Sequence, residues 1–247
     1  MKIASGSLTD RGMKRQQNQD NFLDLPELAL YAVADGMGGH LGGETASKIA
    51  IEAIEKVFRE YSSVSTFEAA AKRMSDAIKT ANSNIQKEGQ KQPALHGMGT
   101  TASALNVLTL ESNPFAIIGQ VGDSRTYLIH SGKIWQLNRD HSLVQEKLRA
   151  GIITRAQLKT ARDKNVITRS VGYDVDVDVD VFWLKINPGD TFVLCSDGLH
   201  GLIDDQHILN IVTKNSNDHK AAANALIAAA NKNGGDDNVT AVVVRVD

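Results

Sequence analysis

The sequence is poor in cysteine, proline and aromatic residues, and its charges nearly cancel. It has one cysteine, four prolines and 5% aromatics in 247 residues, with 27 Lys and Arg against 29 Asp and Glu. The single cysteine, Cys195, cannot form an intramolecular disulfide, which suits a reducing compartment. A formal net charge of -2 leaves no basic surplus for a phosphate backbone, so nucleic acid is not an expected partner.

Long hydrophobic runs are also missing. No stretch approaches the roughly 18 apolar residues that cross a membrane, and the first residues, MKIASGSLTDRG, lack the apolar core of a signal peptide. We therefore expect a cytoplasmic protein with no membrane partner. A chain of this size with 42% hydrophobic residues can bury one large core. We expect a single domain, residues 1–247, acting as a monomer.

The sequence does contain a succession of strand and helix patterns. Apolar residues at three- and four-residue spacing predict helices in GETASKIAIEAIEKVFREY and in residues 67–85. Residues 98–138 are typical of strands, with a hairpin turn at Ser131-Gly132. Further strands are predicted in VDVFWLKI, DTFVLCSD and NVTAVVVRV, and further helices in DDQHILNIVTK and DHKAAANALIAAANK.

This order differs from the strict alternation of a doubly wound parallel sheet. It favours an α+β fold: a central antiparallel β-sandwich flanked by pairs of antiparallel helices, in α-β-β-α layers. The charged segment 141–172 is weakly periodic, contains a candidate capping box from Thr154 to Gln157, and is expected to form a flap subdomain. The alternating repeat Asp174–Asp180 predicts a strand with carboxylates on one face.

Five aspartates are the candidate functional residues. Three apolar runs stop at an aspartate beside a glycine, at Asp35, Asp123 and Asp197, and Asp20 and Asp237 lie in similarly tight surroundings. Each one alone is explained by the turn preferences of Asp and Gly. If the strands share one core, however, the carboxylates could meet at its rim, where they would need cations. Oxygen ligands without His or Cys at metal-binding spacing favour Mg²⁺ or Mn²⁺ over Zn²⁺.

The same residues lie in a series of motifs that runs through nearly the whole chain. In order these are TDRGMKRQQNQDNF, VADGMGGHLGGETAS, GMGTTASAL, VGDSRTYLI, DHSL, VITRSVG, CSDGL and GGDDNVTAVVV. The series resembles that of the bacterial metal-dependent serine/threonine phosphatases of type 2C. The resemblance implies hydrolysis of phosphoserine and phosphothreonine in proteins by attack of a metal-bridging hydroxide on phosphorus. It also implies, as partners, phosphoproteins and a cognate Ser/Thr kinase or its substrates.

The resemblance also implies two Mg²⁺ or Mn²⁺ ions and their ligands. Asp35 matches the aspartate that bridges both ions. Gly36 matches the glycine whose carbonyl binds one of them, since a residue without a side chain allows close approach. Asp197 and Asp237 match the carboxylates that complete the shell of the first ion.

Other matching positions surround this centre. Asp20 matches an acid that binds metal-held water, Asp123 the ligand of a third, weaker ion, and Arg15 the arginine that binds the substrate phosphate. Gln19 stands where many relatives have Glu, so the second ion is expected to bind more weakly. The histidine that follows the Asp-Gly pair in animal members is absent, and the nearest candidate general acid is His40.

Two other phosphatase chemistries are disfavoured. A cysteine nucleophile at Cys195 would need an arginine six residues later, where Gly201 stands. An aspartyl-phosphate mechanism at Asp176 lacks the preceding buried strand. One alternative stays open, a catalytically weak phosphatase-like module that binds phosphoproteins. Such a module would be expected to lose one of the bridging acids, whereas all of them are present here.

Overall fold

The computed structural model describes residues 1–61, 63–163 and 165–247, without the side chains of residues 40, 159 and 160. The strands are β1 (Ile3–Asp10), β2 (Asp20–Leu25), β3 (Leu30–Met37), β4 (Gly99–Thr100), β5 (Ala102–Leu110), β6 (Asn113–Val121), β7 (Arg125–His130), β8 (Lys133–Gln136), β9 (Asp180–Lys185), β10 (Thr191–Cys195) and β11 (Val239–Val246). The α-helices are α1 (Gly39–Glu60), α2 (Phe67–Lys91), α3 (Leu143–Arg149), α4 (Asp197–His200), α5 (Asp205–Lys214) and α6 (His219–Lys232). Short 3-10 helices span Pro26–Leu28, Pro93–Leu95 and Arg155–Thr160.

The strands form two antiparallel sheets. The first has the order β1-β11-β10-β7-β8, and the second has the order β2-β3-β5-β6-β9, with β4 paired to β3. Between the sheets lies an apolar layer of inward-facing side chains that includes Tyr31, Leu105, Ile118, Phe192 and Val242. Burial of such surface contributes roughly 25 cal/mol per Å², so this layer holds the sandwich together.

Helices cover the outer face of each sheet. The apolar stripes of α1 and α2 pack on the second sheet, with Ile54, Met74 and Ile78 fully buried. The stripes of α5 and α6 pack on the first sheet through Ile208 and Leu226. The predicted α-β-β-α layers are confirmed. No helix among the described residues has both the length and the apolar character needed to span a membrane.

Local predictions had mixed outcomes. The hairpin turn is confirmed, with φ of 48° at Ser131 and 72° at Gly132. The capping box at Thr154 is confirmed at the start of the flap's 3-10 helix. The predicted strand over the acidic repeat is wrong for residues 174–179, which are irregular, and β9 begins only at Asp180. Val177 is 2% exposed and Val175 90% exposed, so the valines do not share one face.

Candidate active site

The fold gathers the five aspartates at one end of the sandwich. Asp20 and Asp35 are direct cross-strand partners at the ends of β2 and β3, in the second sheet. Asp197 follows β10 and Asp237 precedes β11, and these two strands pair in the first sheet. Asp123 lies in the turn where the chain leaves β6 for β7 and so passes from one sheet to the other.

The electrostatics of Asp35 show that these side chains share one site. Burial raises the pKa of the Asp35 carboxyl well above its usual value, and the charges of Asp20, Asp197, Asp123 and Asp237 raise it further. The Asp35 carboxyl in turn lies close enough to that of Asp197 to influence its pKa. A carboxylate repelled by four others is the group whose charge most needs compensation.

Asp20 is held by two hydroxyl groups that sequence reasoning missed. Ser196 Oγ and Thr240 Oγ1 each donate a hydrogen bond of 2.7 Å to its Oδ2. Burial still raises the pKa of Asp20 to about 7, because the two hydrogen bonds offset only part of the cost of losing water. Within the described residues, its Oδ1 is buried without a partner. The sequence signal that could have found these two residues is their position, because Ser196 directly precedes Asp197 and Thr240 lies close after Asp237.

Asp123 and Asp197 have similarly unfavourable surroundings. Burial, with the charges of Asp197 and Asp140, raises the pKa of Asp123 to about 8. Burial and Asp237 raise the pKa of Asp197, although its hydrogen bond to Asp35 opposes this. Asp197 Oδ1 is also buried without a hydrogen bond from any described residue. Such groups cost free energy unless a cation or a proton satisfies them.

The residues present fit divalent cations. Two buried carboxylate oxygens, on Asp20 and Asp197, have no hydrogen-bond partner among the described residues, and carboxylate oxygens are the ligands that hard cations prefer. Gly36 is packed so tightly that an added Cβ would lie 2.0 Å from the carbonyl oxygen of Gly43 and 2.6 Å from that of Gln19. Glycine is therefore required at this position.

The carboxylates converge without forming a ready-made cage. No group of three or more His, Cys, Asp and Glu side chains among the described residues is arranged to hold an ion as it stands. Several of their oxygens have other partners instead: Asp20 bonds Ser196 and Thr240, and Arg15 pairs with Asp237. The five carboxyls nevertheless lie within electrostatic range of one another, since the charges of Asp20, Asp197, Asp123 and Asp237 all raise the pKa of Asp35.

The backbone around Asp35 is fixed by a pair of threonines. Its N–H donates to Thr101 Oγ1 at 2.9 Å, and its carbonyl accepts from Thr100 Oγ1 and from the Thr101 N–H, both at 2.9 Å. Thr101 Oγ1 lies 2.7 Å from Ser124 Oγ, beside Asp123. These hydroxyls therefore connect the strand end that carries Asp35 to the turn that carries Asp123.

Arg15 lies next to the acidic site, but its partner was not foreseen. Its Nη2 is 2.5 Å from Asp237 Oδ2. The loop that carries it is held by Asn238, whose amide donates to the carbonyls of Arg11 at 3.0 Å and Gln17 at 2.8 Å. Asn238 Oδ1 also accepts from the Gln19 N–H at 2.8 Å. The loop therefore presents Arg15 at the edge of the carboxylate cluster.

Two histidines contact the turn that carries Asp123. The side chain of His40, the sequence candidate, lies outside the described residues. His141 is buried, and its Nδ1 accepts from the Gly122 N–H at 3.1 Å. His200 Nε2 is 3.1 Å from the Asp123 carbonyl, and burial lowers its pKa to about 3. Both rings thus support the turn that holds Asp123.

The family model for protein phosphatase 2C matches residues 11–242. Serine/threonine phosphatase stp of Listeria monocytogenes serotype 4b is 34% identical over 242 residues, which cover 97% of this chain and 94% of that protein. Protein phosphatase PhpP of Streptococcus pneumoniae serotype 2 is 35% identical over 245 residues, which cover 97% of this chain and 96% of that protein.

Solved structures agree with these relatives. The serine/threonine phosphatase PstP/Ppp of Mycobacterium tuberculosis matches with a TM-score of 0.90 and 30% identity, over 100% of both chains. The catalytic domain of the serine/threonine protein phosphatase PstP in complex with two manganese ions matches with a TM-score of 0.86 and 31% identity, over 99% of both chains.

Proposed function

The chain belongs to the protein phosphatase 2C family, and we propose that its five converging aspartates, with Gly36 and Arg15, form the active site of this metal-dependent protein serine/threonine phosphatase. The expectation drawn from the sequence motifs is confirmed at the level of family and activity. The observation that carries the assignment of the site is the position of Asp35, a buried carboxyl whose pKa is raised by the charges of Asp20, Asp197, Asp123 and Asp237.

Within this site we assign separate roles to the acids. Asp35 would bridge two ions, the Gly36 carbonyl would bind one of them, and Asp197 and Asp237 would complete the shell of the first. Asp20, fixed by Ser196 and Thr240, would orient water beside them. The bound ions would supply a water of lowered pKa as the nucleophile, and positive charge for the phosphoryl oxygens.

Arg15 is proposed to bind the substrate phosphate. Its planar guanidinium can donate two parallel hydrogen bonds to phosphate oxygens, which lysine cannot. It holds Asp237 in this structure, so it must exchange that carboxylate for the phosphate. Both groups are partly exposed, so the ion pair is weak enough for this exchange to be easy. His40 remains our candidate for protonating the leaving oxygen.

Several wider features are also proposals. The ions are Mg²⁺ or Mn²⁺, with a third, weaker one at Asp123. We further propose a bacterial, cytoplasmic, monomeric enzyme of one domain that opposes a Ser/Thr kinase or acts on it. The lone, buried Cys195 supports a reducing compartment.

The test is hydrolysis of a phosphothreonine peptide by the purified protein in Mn²⁺. We expect turnover that stops when EDTA removes the metal and returns when Mn²⁺ is added in excess. A matched phosphotyrosine peptide should be a much poorer substrate. Turnover that persists in EDTA, or equal rates on both peptides, would contradict the proposal.

Asp123→Asn should reduce activity without abolishing it, by about 5- to 30-fold, which corresponds to about 1–2 kcal/mol. The reason is that only the third ion depends on this carboxylate. Its raised pKa indicates that the ionised form is unfavourable where it stands unless a cation compensates the charge. The measurement is a Mn²⁺ titration of peptide hydrolysis, together with ion stoichiometry by calorimetry. Asp174→Asn, at an exposed position in the acidic repeat, is the control. An unchanged titration for Asp123→Asn would restrict Asp123 to a structural role.

A further inference from the structure

The flap, residues 141–172, carries a concentrated positive charge. It contains seven Lys and Arg residues against two Asp and Glu residues, in a chain whose formal net charge is -2. Its charge is therefore opposite in sign to that of the rest of the molecule. Such an asymmetry creates a local field that attracts anionic partners.

Some of these cations maintain the shape of the flap. Lys147 pairs with Asp163 inside it. Arg169 donates to Asp180 Oδ1 at 2.6 Å and to the Asp178 carbonyl at 3.1 Å, which ties the flap to the start of β9. Lys147 and Arg169 therefore have ion-pair partners within this chain.

Three arginines of the flap are available for contacts outside it. Arg149 ends α3, Arg155 begins the 3-10 helix, and Arg162 follows that helix. All three are exposed, and none of them forms an ion pair with any residue that the structure describes. Exposed guanidinium groups without an internal partner can bind carboxylates of another molecule in bidentate fashion.

The flap is attached directly to the rim of the active site. The His141 N–H donates to the Gly122 carbonyl, one residue before Asp123, and Thr168 N–H donates to the His141 carbonyl, both at 2.9 Å. The far end of the flap is held by two backbone hydrogen bonds between Val171 and Thr100. Both ends of the flap are therefore fixed beside the strand ends that carry Asp35 and Asp123.

We propose that Arg149, Arg155 and Arg162 form an acidic-segment surface, which selects phosphoproteins with Asp or Glu near the phosphorylated residue. This inference rests on the proposed phosphatase function. The active site itself is lined by aspartates, which disfavour acidic flanking residues, and the flap supplies the compensating charge. The surface makes its contacts away from the reacting phosphate, so it should lower KM and leave kcat nearly unchanged.

The experiment compares three phosphothreonine peptides that differ only in the four residues flanking the phosphothreonine. These four residues are all Glu in the first peptide, all Gln in the second and all Lys in the third. For the wild type in Mn²⁺, we expect kcat/KM to be about tenfold higher for the Glu peptide than for the Gln peptide, and lowest for the Lys peptide. The preference should shrink at 0.5 M NaCl, where exposed charges are screened. In the triple variant R149E/R155E/R162E, the order of the Glu and Lys peptides should reverse through KM.

The matched control is K2E/K133E/K220E, which makes the same charge change at exposed lysines outside the flap. It should keep the wild-type preference. Para-nitrophenyl phosphate has no flanking residues, so its hydrolysis should be equal in all three proteins and shows that each is folded.

The two proposals fail in different ways. If neither para-nitrophenyl phosphate nor the Gln peptide is hydrolysed in Mn²⁺, the phosphatase proposal is wrong. If both are hydrolysed but the wild type does not prefer the Glu peptide, or the flap variant keeps that preference, only the acidic-segment surface is wrong.

Discussion

Asp35→Asn should lower kcat for a phosphothreonine peptide by at least about 10³-fold, a loss of roughly 4 kcal/mol of transition-state stabilisation. Burial raises the pKa of Asp35, and the charges of all four other aspartates of the cluster raise it further, so its charge depends most directly on bound cations. Asparagine keeps the size of the side chain and one oxygen but removes the charge. The bridge between two ions would be lost.

The same variant should gain stability when metal is absent. At pH 8, Asp35→Asn removes a repelled carboxylate, so the metal-free variant should unfold at a temperature equal to or above that of the wild type. Stability by thermal unfolding and activity by steady-state kinetics would thus move in opposite directions. Asp174→Asn serves as the control and should change neither. Near-normal turnover by Asp35→Asn would refute the assigned role.

The metal-free protein should become less stable as the pH rises from about 5 to 9. In the folded state Asp20 and Asp123 have pKa values of about 7 and about 8, against about 3.9 in an unfolded chain. Across this window the folded state holds more protons than the unfolded state, so the free energy of unfolding falls with rising pH. Each pKa unit between the folded and the unfolded state corresponds to about 1.4 kcal/mol, so the free energy of unfolding falls by several kcal/mol over this pH range.

Thermal unfolding in EDTA at a series of pH values measures this effect. A loss of 1 kcal/mol lowers Tm by about 2–4 °C for a chain of this size. Saturating Mn²⁺ at pH 8 should restore the lost stability, because bound cations would compensate the carboxylate charges that protons compensate at lower pH. The double variant D20N/D123N, in EDTA, should show a much flatter profile. A metal-free wild type whose stability is constant or increases over this range would show that the carboxylates are not confined together.

The layered fold was predictable because its elements have strong local patterns. The stripes of α1 and α2 and the apolar runs of β3, β10 and β11 are readable in any window of the sequence. The N-terminal strands β1 and β2 were missed because most of their residues are only partly buried and lack clean alternation. Their strand conformation depends on pairing with β11 and β3.

The acidic repeat shows how tertiary contacts override a local pattern. Alternating Asp and Val predicted a strand, but the Asp174 carbonyl accepts from the side chains of Asn82 and Gln86 on α2. Val177 turns into the core beside that helix. These bonds take the place of a β-ladder, so the strand starts only where β9 meets β6. No local rule could have located that boundary.

For the site, the sequence identified the acids but not what surrounds them. Asp35, Asp197 and Asp237 were found through motifs. Ser196 and Thr240 are separated from Asp20 by 176 and 220 residues of sequence. The two hydroxyl residues become neighbours only through the pairing of β10 with β11. The ion pair of Arg15 with Asp237 likewise depends on how Asn238 holds the preceding loop.

The cluster around Asp35 is where we propose that the catalytic ions bind. The most direct test is an anomalous difference map from crystals grown with Mn²⁺, recorded at the manganese edge. We predict two strong peaks beside Asp35, reached by the Gly36 carbonyl, Asp197 and Asp237, and a weaker one at Asp123. Peaks only at the exposed repeat 174–180, or none at Asp35, would contradict the account.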